Sequence, residues 1–167
     1  KGGFSQIKPY QKDGIPVFIA GASDAAIEVA GQHADVFALW GETYEEVRNV
    51  TSRVREASAK NGRAAPRFSL SFRPILADTE EKAWAKAEAL LETAKAIQHK
   101  TGYVRTASGP ANEGSKRLLA LAAQGSRLDK RLWTGMANLT GARGNSTSLV
   151  GTPQQVAEAL LDYYELG

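Results

Sequence analysis

The chain contains no cysteine and only two histidines, His33 and His99, among its 167 residues. The lack of cysteine excludes disulfides, thiolate metal ligands and a cysteine nucleophile. Two histidines that lie far apart in the sequence do not form the close pair that a histidine-based metal site needs, and both fall in helical segments. We therefore expect no metal site in this chain.

Long apolar runs are also missing. No segment reaches the roughly 18 residues that a membrane-spanning helix needs, and the first residues do not have the pattern of a secretory signal. We therefore expect a cytoplasmic protein with no membrane partner. The net charge is only +3, and the basic residues alternate with acidic ones instead of forming a basic run with aromatics, so we expect no nucleic-acid partner.

Strands and helices are predicted to alternate along the first hundred residues. The apolar runs at residues 17–20 and 36–40 predict buried strands. Residues 67–76 predict a third strand, in which Pro74 limits regular pairing and the side chains alternate: Phe68, Leu70 and Phe72 on one face, Ser69, Ser71 and Arg73 on the other. Each strand is followed by a segment with helical periodicity. Ser23 is placed to cap the first helix, and Asp78 to begin the third. Three strand–helix units in succession predict an α/β fold with a parallel sheet and a ligand site at the carboxyl ends of its strands.

The second part of the chain has a different composition. Residues 133–150 are rich in Gly, Ser, Thr and Asn, which is typical of a functional lid or of a mobile loop. We expect residues 1–167 to belong to one domain, with residues 101–150 as a mobile insertion or lid within it. Thr152 and Gln155 form a capping-box pattern that predicts a final helix.

The turn Gly21-Ala22-Ser23 lies between the first strand and the first helix. Backbone N–H groups at a helix start, beside a serine hydroxyl, can hold a phosphate, and glycine allows a ligand to approach the backbone closely. The same residues also fit an ordinary strand–helix turn with a serine N-cap. Both interpretations remain open from the residues alone.

Four segments, taken in order, resemble the bacterial-luciferase-like flavin-dependent monooxygenases, especially their alkanesulfonate monooxygenase branch. They are PVFIAGAS at residues 16–23, ADVFALWGE at residues 34–42, residues 67–85 and residues 132–151. The resemblance extends over the whole chain. It implies part of a (β/α)8 TIM barrel: about strands five to seven with their helices, and the insertion before strand eight. A complete barrel needs about 250 residues, so we expect this chain to be the C-terminal part of a larger barrel.

The resemblance also implies a function for the intact parent protein. Members of the family use reduced FMN as a co-substrate, with O2, to oxidise a small organic molecule; in the branch named above, that molecule is an organosulfur compound. A separate flavin reductase and a homo-oligomeric parent are expected with it. The 167 residues alone are expected to be inactive.

Cofactor-binding residues follow from matching positions. Gly21, Ala22 and Ser23 match the turn that holds the FMN phosphate in this family, although many relatives have glycine or an acidic residue where this chain has Ala22. Trp40 matches a tryptophan near the flavin or the substrate pocket. Core packing is the alternative for Trp40, since it is the commoner use of this residue.

Three further residues are predicted to contact substrate. Ser71 and Arg73 stand where the alkanesulfonate branch has an arginine and a histidine, and this departure puts sulfonate specificity in doubt. Arg143 resembles a mobile-loop arginine that closes over flavin and substrate, once a two-residue insertion is allowed. The alternatives are an ion pair within the sheet for Arg73 and an exposed loop position for Arg143. No catalytic residue is predicted.

Two other functions remain open at this stage. Some members of the same superfamily use a deazaflavin and transfer hydride without oxygen. A non-enzymatic α/β domain could instead bind an anion or a flavin through residues 21–23.

Overall fold

The computed structural model describes residues 7, 9–12, 14–102, 109–144 and 146–167. These residues form α-helices and two sheets. Among them, no helix is both long enough and apolar enough to cross a membrane. In chain order the elements are β1 (Phe18–Ala20), α1 (Asp24–His33), β2 (Val36–Trp40), α2 (Tyr44–Lys60), β3 (Arg67–Ser71), β4 (Ile75–Leu76), α3 (Glu80–Thr101), α4 (Glu113–Gln124), β5 (Arg127–Leu128), β6 (Leu132–Trp133), α5 (Gly135–Thr140), β7 (Ser148–Gly151) and α6 (Pro153–Tyr164).

The first sheet confirms the predicted α/β organisation. Strands β1, β2 and β3 are parallel and adjacent in that order, with α1 and α2 as the connections. Phe37 in the central strand is fully buried and packs with Ile27 of α1 and Val54 of α2. The first strand was predicted to be buried, and this is wrong: Phe18 is 64% exposed, because β1 is an edge strand that pairs only with β2.

The predicted strand at residues 67–76 is divided into two. Pro74 has no N–H group and interrupts the pairing, so β3 pairs with β2 and β4 pairs with β7 in a second sheet. The predicted alternation within β3 is confirmed, since Phe68 and Leu70 are partly buried whereas Ser69 and Ser71 are exposed. The chain therefore passes from one sheet into the other at Pro74.

The second sheet has the order β4-β7-β6-β5, in which β4 and β7 are parallel and the other pairs are antiparallel. Its strands come partly from the segment whose composition suggested mobility. Trp133 of β6 and Leu149 and Val150 of β7 are nevertheless buried in the core. Strand β7 packs against α3 and α6. Residues 103–108 and 145 of the predicted lid region lie outside the described residues.

Helix boundaries follow the capping signals closely. Ser23 caps α1, and the capping box of Thr152 with Gln155 is complete at α6. Helix α3 is capped by Thr79, one residue after the predicted start at Asp78. His33 and His99 are exposed positions in the last turns of α1 and α3.

Candidate functional site

A cavity of about 810 Å³ opens at the carboxyl ends of β1, β2 and β3. This is where parallel α/β sheets place their ligand sites, because the connecting turns diverge there. The inward-facing positions of the three strands and the first turn of α4 form its walls. The polar and aromatic lining residues are Ser23, Trp40, Glu42, Ser69, Ser71, Asn112 and Glu113, and the small ones include Gly21, Ala22 and Gly114.

The turn after β1 has a conformation that only glycine adopts readily. Gly21 has φ of +146°, and a Cβ atom at this position would lie 2.8 Å from the Cβ of Ala26. Ser23 Oγ accepts a hydrogen bond of 3.2 Å from the Ala26 N–H, so the predicted N-cap is confirmed. The remaining N–H groups of the first helical turn have no partner within the helix. Gly21 is therefore required by its φ and by the close approach of Ala26, and the N–H groups and serine hydroxyl at this helix start are the kinds of donor that a phosphate group binds.

The one acidic residue beside this turn, Asp24, faces away from the main cavity. Asp24 follows Ser23 directly, but its carboxylate pairs with Arg53 and lines a separate surface depression between α1 and α2. The side chains of Ala22 and Ser23 line the main cavity instead. An anion bound beside Ser23 therefore does not meet the Asp24 carboxylate across the cavity.

Trp40 combines the two roles that the sequence left open. It is partly buried, lines the cavity and packs against the cluster that contains Leu118 of α4. A Cβ atom added at Gly114 would lie 3.3 Å from Trp40 Cζ3, so the first turn of α4 rests against the indole ring. Core packing and cavity lining are thus both functions of this side chain.

The residue after Trp40 is fixed by close contacts. The Gly41 N–H donates to the Ser71 carbonyl over 2.9 Å, and Thr147 Oγ1 donates to the Gly41 carbonyl over 2.7 Å. A Cβ atom at Gly41 would lie only 2.0 Å from Phe72 Cε1. Gly41 is therefore required by the position of the Phe72 ring.

Glu42 is a buried carboxylate at the cavity wall, with only 7% of its surface exposed. Arg117 of α4 contacts both of its oxygens and also donates to Glu46 over 2.9 Å. Burial lowers the pKa of Arg117, but the hydrogen bond and charge of Glu42, together with Glu46, raise that pKa more. The guanidinium therefore stays charged between the two carboxylates. Sequence reasoning missed this group because Arg117 lies 75 residues from Glu42.

A residue of α6 also contacts the segment Gly41–Glu42 that follows β2. The Tyr163 hydroxyl donates to the Glu42 carbonyl over 2.7 Å, and its ring lies 4.7 Å from Phe72 and 4.3 Å from Tyr44. Burial, followed by the nearby carboxylates, raises the pKa of the Tyr163 hydroxyl above its usual range. The hydroxyl therefore keeps its proton and remains a donor.

The structure brings most, but not all, of the predicted site residues together. Five of the seven line the cavity: Gly21, Ala22, Ser23, Trp40 and Ser71. Arg73 and Arg143 are exposed and are absent from its lining. The backbone N–H of Arg73 donates to the Thr147 carbonyl at the start of the second sheet. A substrate role for either arginine stays a prediction.

Several solved structures have a fold similar to that of this chain. DmoA from Hyphomicrobium sulfonivorans aligns over 98% of this chain and 37% of its own, with TM-score 0.64 and 22% identity. A riboflavin lyase solved with modified FMN and riboflavin aligns over 89% and 36%, with TM-score 0.60 and 23% identity. A coenzyme F420-dependent tetrahydromethanopterin reductase from Methanopyrus kandleri aligns over 92% and 43%, with TM-score 0.51 and 12% identity.

These identities establish similarity of fold alone, and the chain spans less than half the length of each of the three proteins. The described elements accordingly fit part of a TIM barrel with one parallel sheet and its covering helices. The model of the luciferase-like monooxygenase family matches residues 1–167, and the chain belongs to that family. The resemblance inferred from four sequence segments is thereby confirmed.

Proposed function

We propose that this chain forms the phosphate-binding side of the active site in an FMN-dependent monooxygenase, which uses reduced FMN and O2 to oxidise a small organic substrate. The observation that carries the proposal is the cavity at the strand ends, where the Gly21–Ser23 turn and Trp40 line the same space. Family membership supports a monooxygenase. Organosulfur compounds, including alkanesulfonates, are the substrate class that the resemblance favours.

Gly21, Ala22 and Ser23 would hold the phosphate of FMN. The N–H groups of the first turn of α1 other than that of Ala26, which donates to Ser23 Oγ, would donate to it, the helix dipole would favour its charge, and the Ser23 hydroxyl would supply a further donor. Trp40 offers an aromatic surface at the same cavity. When bound, the flavin supplies the redox chemistry, while these residues orient it and exclude water.

Substrate contacts are proposed for Ser71, Arg73 and Arg143. Ser71 already lines the cavity, as does Ser69 of the same strand. Arg73 and Arg143 would reach an anionic substrate only after a movement of their side chains or of residues 101–150. We propose that residues 101–150 form an insertion that acts as a lid over the cavity.

We also propose that β1, β2 and β3 correspond to strands five, six and seven of the complete barrel.

Replacing the serine tests the phosphate site directly. We expect Ser23→Ala to weaken FMN binding by about 10- to 150-fold, since a hydrogen bond to a charged group is worth about 1.5–3 kcal/mol. Binding of riboflavin, which has no phosphate, should be unchanged. Isothermal titration of the full-length protein with FMN and with riboflavin measures both affinities.

Thr79→Ala is the matched control. It removes the N-cap of α3, which Thr79 provides through a bond to the Lys82 N–H, and it lies outside the cavity. Both variants lose about 1 kcal/mol of helix capping, but only Ser23→Ala should change FMN affinity. Equal FMN affinity in wild type and Ser23→Ala would show that the serine is only a cap.

A deazaflavin-dependent oxidoreductase is the second candidate function. The fold similarity to the F420-dependent reductase is the observation that favours it. Titration with F420 beside FMN, together with oxygen consumption in the presence of reduced FMN, separates the two. Tighter F420 binding with no oxygen consumption would support the deazaflavin enzyme. A non-enzymatic anion-binding domain is the weaker alternative, since the family is one of monooxygenases.

The partners follow from the proposed reaction. An enzyme that takes reduced FMN as a co-substrate needs a separate flavin reductase to supply it. We also propose a homo-oligomeric parent protein and a cytoplasmic location, where reduced flavin is produced.

A further inference from the structure

Helix α4 closes one side of the cavity without joining either sheet. Asn112, its N-cap, and the first-turn residues Glu113 and Gly114 line the same cavity as the Gly21–Ser23 turn. Its backbone makes no strand pairing, and its closest packing partner is α5. Side-chain contacts must therefore set how far this helix stands from the strand ends.

Arg117 provides the contact from α4 to the strand ends. Its Nε lies 3.2 Å from Glu42 Oε1, its Nη2 contacts Glu42 Oε2, and the same Nη2 lies 2.9 Å from Glu46 Oε2. Glu42 lies two residues after the end of β2, and Glu46 belongs to the first turn of α2. One guanidinium thus joins three elements at the cavity wall.

The burial of this group shows that the contact is built into the fold. The side chains of Arg117 and Glu42 are 22% and 9% exposed, in contrast to the exposed ion pairs of Lys95 with Glu92 or Arg127 with Glu88. A two-point contact between guanidinium and carboxylate fixes direction as well as distance. An ion pair exposed to water fixes neither the direction nor the distance between its two side chains effectively.

Trp40 packs against the helix that carries Arg117. Its ring lies between the end of β2 and the first turn of α4, where Gly114 leaves room for it. Ser115 Oγ donates to the Ala142 carbonyl over 2.6 Å and ties the helix to the segment after α5, not to the strands. Beside the apolar packing of Trp40 against the cluster that contains Leu118, Arg117 is therefore the charged contact that joins α4 to the segment after β2.

We propose that Arg117 is a positioning residue for the cofactor cavity: its ion pairs with Glu42 and Glu46 hold the first turn of α4 and the ring of Trp40 at the cavity wall. Its effect on the reaction is exerted through Trp40 and α4, since Arg117 itself does not line the cavity. The part of this inference that concerns the cofactor rests on the proposed function, whereas the part that concerns Trp40 does not.

Arg117→Met in the full-length protein tests the proposal, with two measurements. The first is acrylamide quenching of Trp40 fluorescence, obtained as the difference between each protein and its Trp40→Phe counterpart. We expect the Trp40 quenching constant to rise, because the ring loses its cover. The second is steady-state kinetics with reduced FMN, where we expect KM to rise about tenfold or more and kcat to fall less, since Trp40 and the first turn of α4 form a wall of the cavity that would bind the cofactor.

Two further variants make the result specific. Lys95→Met removes an exposed ion pair on α3 and should change neither measurement. Arg117→Lys keeps the charge but cannot contact both oxygens of Glu42, so it should fall between wild type and Arg117→Met. If Arg117→Met does not fold, the same measurements on Arg117→Lys decide the question.

A lower melting temperature with unchanged Trp40 quenching and unchanged KM would overturn the proposal, because Arg117 would then contribute only stability. If the proposed function is wrong while the positioning role is right, the measurements give a different result. If wild type binds neither FMN nor F420, the proposed cofactor is wrong, but increased Trp40 quenching in Arg117→Met would still support the positioning role.

Discussion

An alanine at Gly41 would place its methyl group inside the ring of Phe72. The added Cβ would lie 2.0 Å and 2.1 Å from two ring carbons, which is far below van der Waals contact. The ring cannot move freely, because it lies against Tyr163 at 4.7 Å, and Gly41 is held by its bonds to Ser71 and Thr147. We expect Gly41→Ala to lower the free energy of unfolding by about 3 kcal/mol, the upper part of the usual range for overpacking.

Urea unfolding and thermal melting measure this loss. At about 2–4 °C per kcal/mol for a chain of this size, the melting temperature should fall by about 6–12 °C. Gly109→Ala is the matched control, since a Cβ atom there meets nothing within 4 Å. The control should stay within about 0.5 kcal/mol of wild type.

A double-mutant cycle identifies the cause. Phe72→Leu shortens the ring side chain and should make room for the new methyl group, so Gly41→Ala should cost less in the Phe72→Leu background. We expect a favourable coupling energy of about 1–2 kcal/mol, within the range for residues in contact. Additive effects of the two substitutions would refute the steric argument, and the loss would then have to come from the backbone.

Two further perturbations test the polar contacts. Hydrogen bonds from Arg131, Gln155 and Trp84 lower the pKa of Glu80 to about 2 from 4.5, so its stabilising effect is present above pH 4.5 and is lost as the pH falls toward 2. Urea midpoints of wild type and Glu80→Gln should therefore differ at neutral pH and converge near pH 2; a constant difference would contradict this. Tyr163→Phe leaves the buried Glu42 carbonyl without its donor and should cost about 1–3 kcal/mol in urea unfolding. No loss would mean that water replaces the hydroxyl.

The parts of the fold that sequence analysis predicted are those with local signals. Ser23, Thr152 and Gln155 mark helix starts through bonds that span only three residues, and the structure has each of them. The Gly21–Ser23 turn and Trp40 each follow a strand, and parallel strands bring their carboxyl ends to one edge. Their meeting at one cavity was therefore predictable.

The parts that were missed depend on contacts between distant residues. Nothing near Arg117 indicates that it pairs with Glu42, since the partners are 75 residues apart and each lies in an ordinary helical or loop pattern. The division of residues 67–76 has the same origin: Pro74 signals an interruption, but only the later strand β7 shows where the second half pairs. The exposure of Phe18 reflects the number of neighbouring strands, which its own apolar run does not encode.

Pro74 divides residues 67–76 into β3 and β4, which belong to different sheets, and this division affects the order of folding. Neighbouring strands of the first sheet are separated by a single helix, whereas β4 and β7 are separated by three helices and two strands. Contacts between distant segments form more slowly, because a longer loop must close first. The β1–β3 unit can therefore assemble early, and the pairing of β4 with β7 becomes the late step. The bond from Thr147 to Gly41 joins residues 106 positions apart, so it belongs with the late contacts as well.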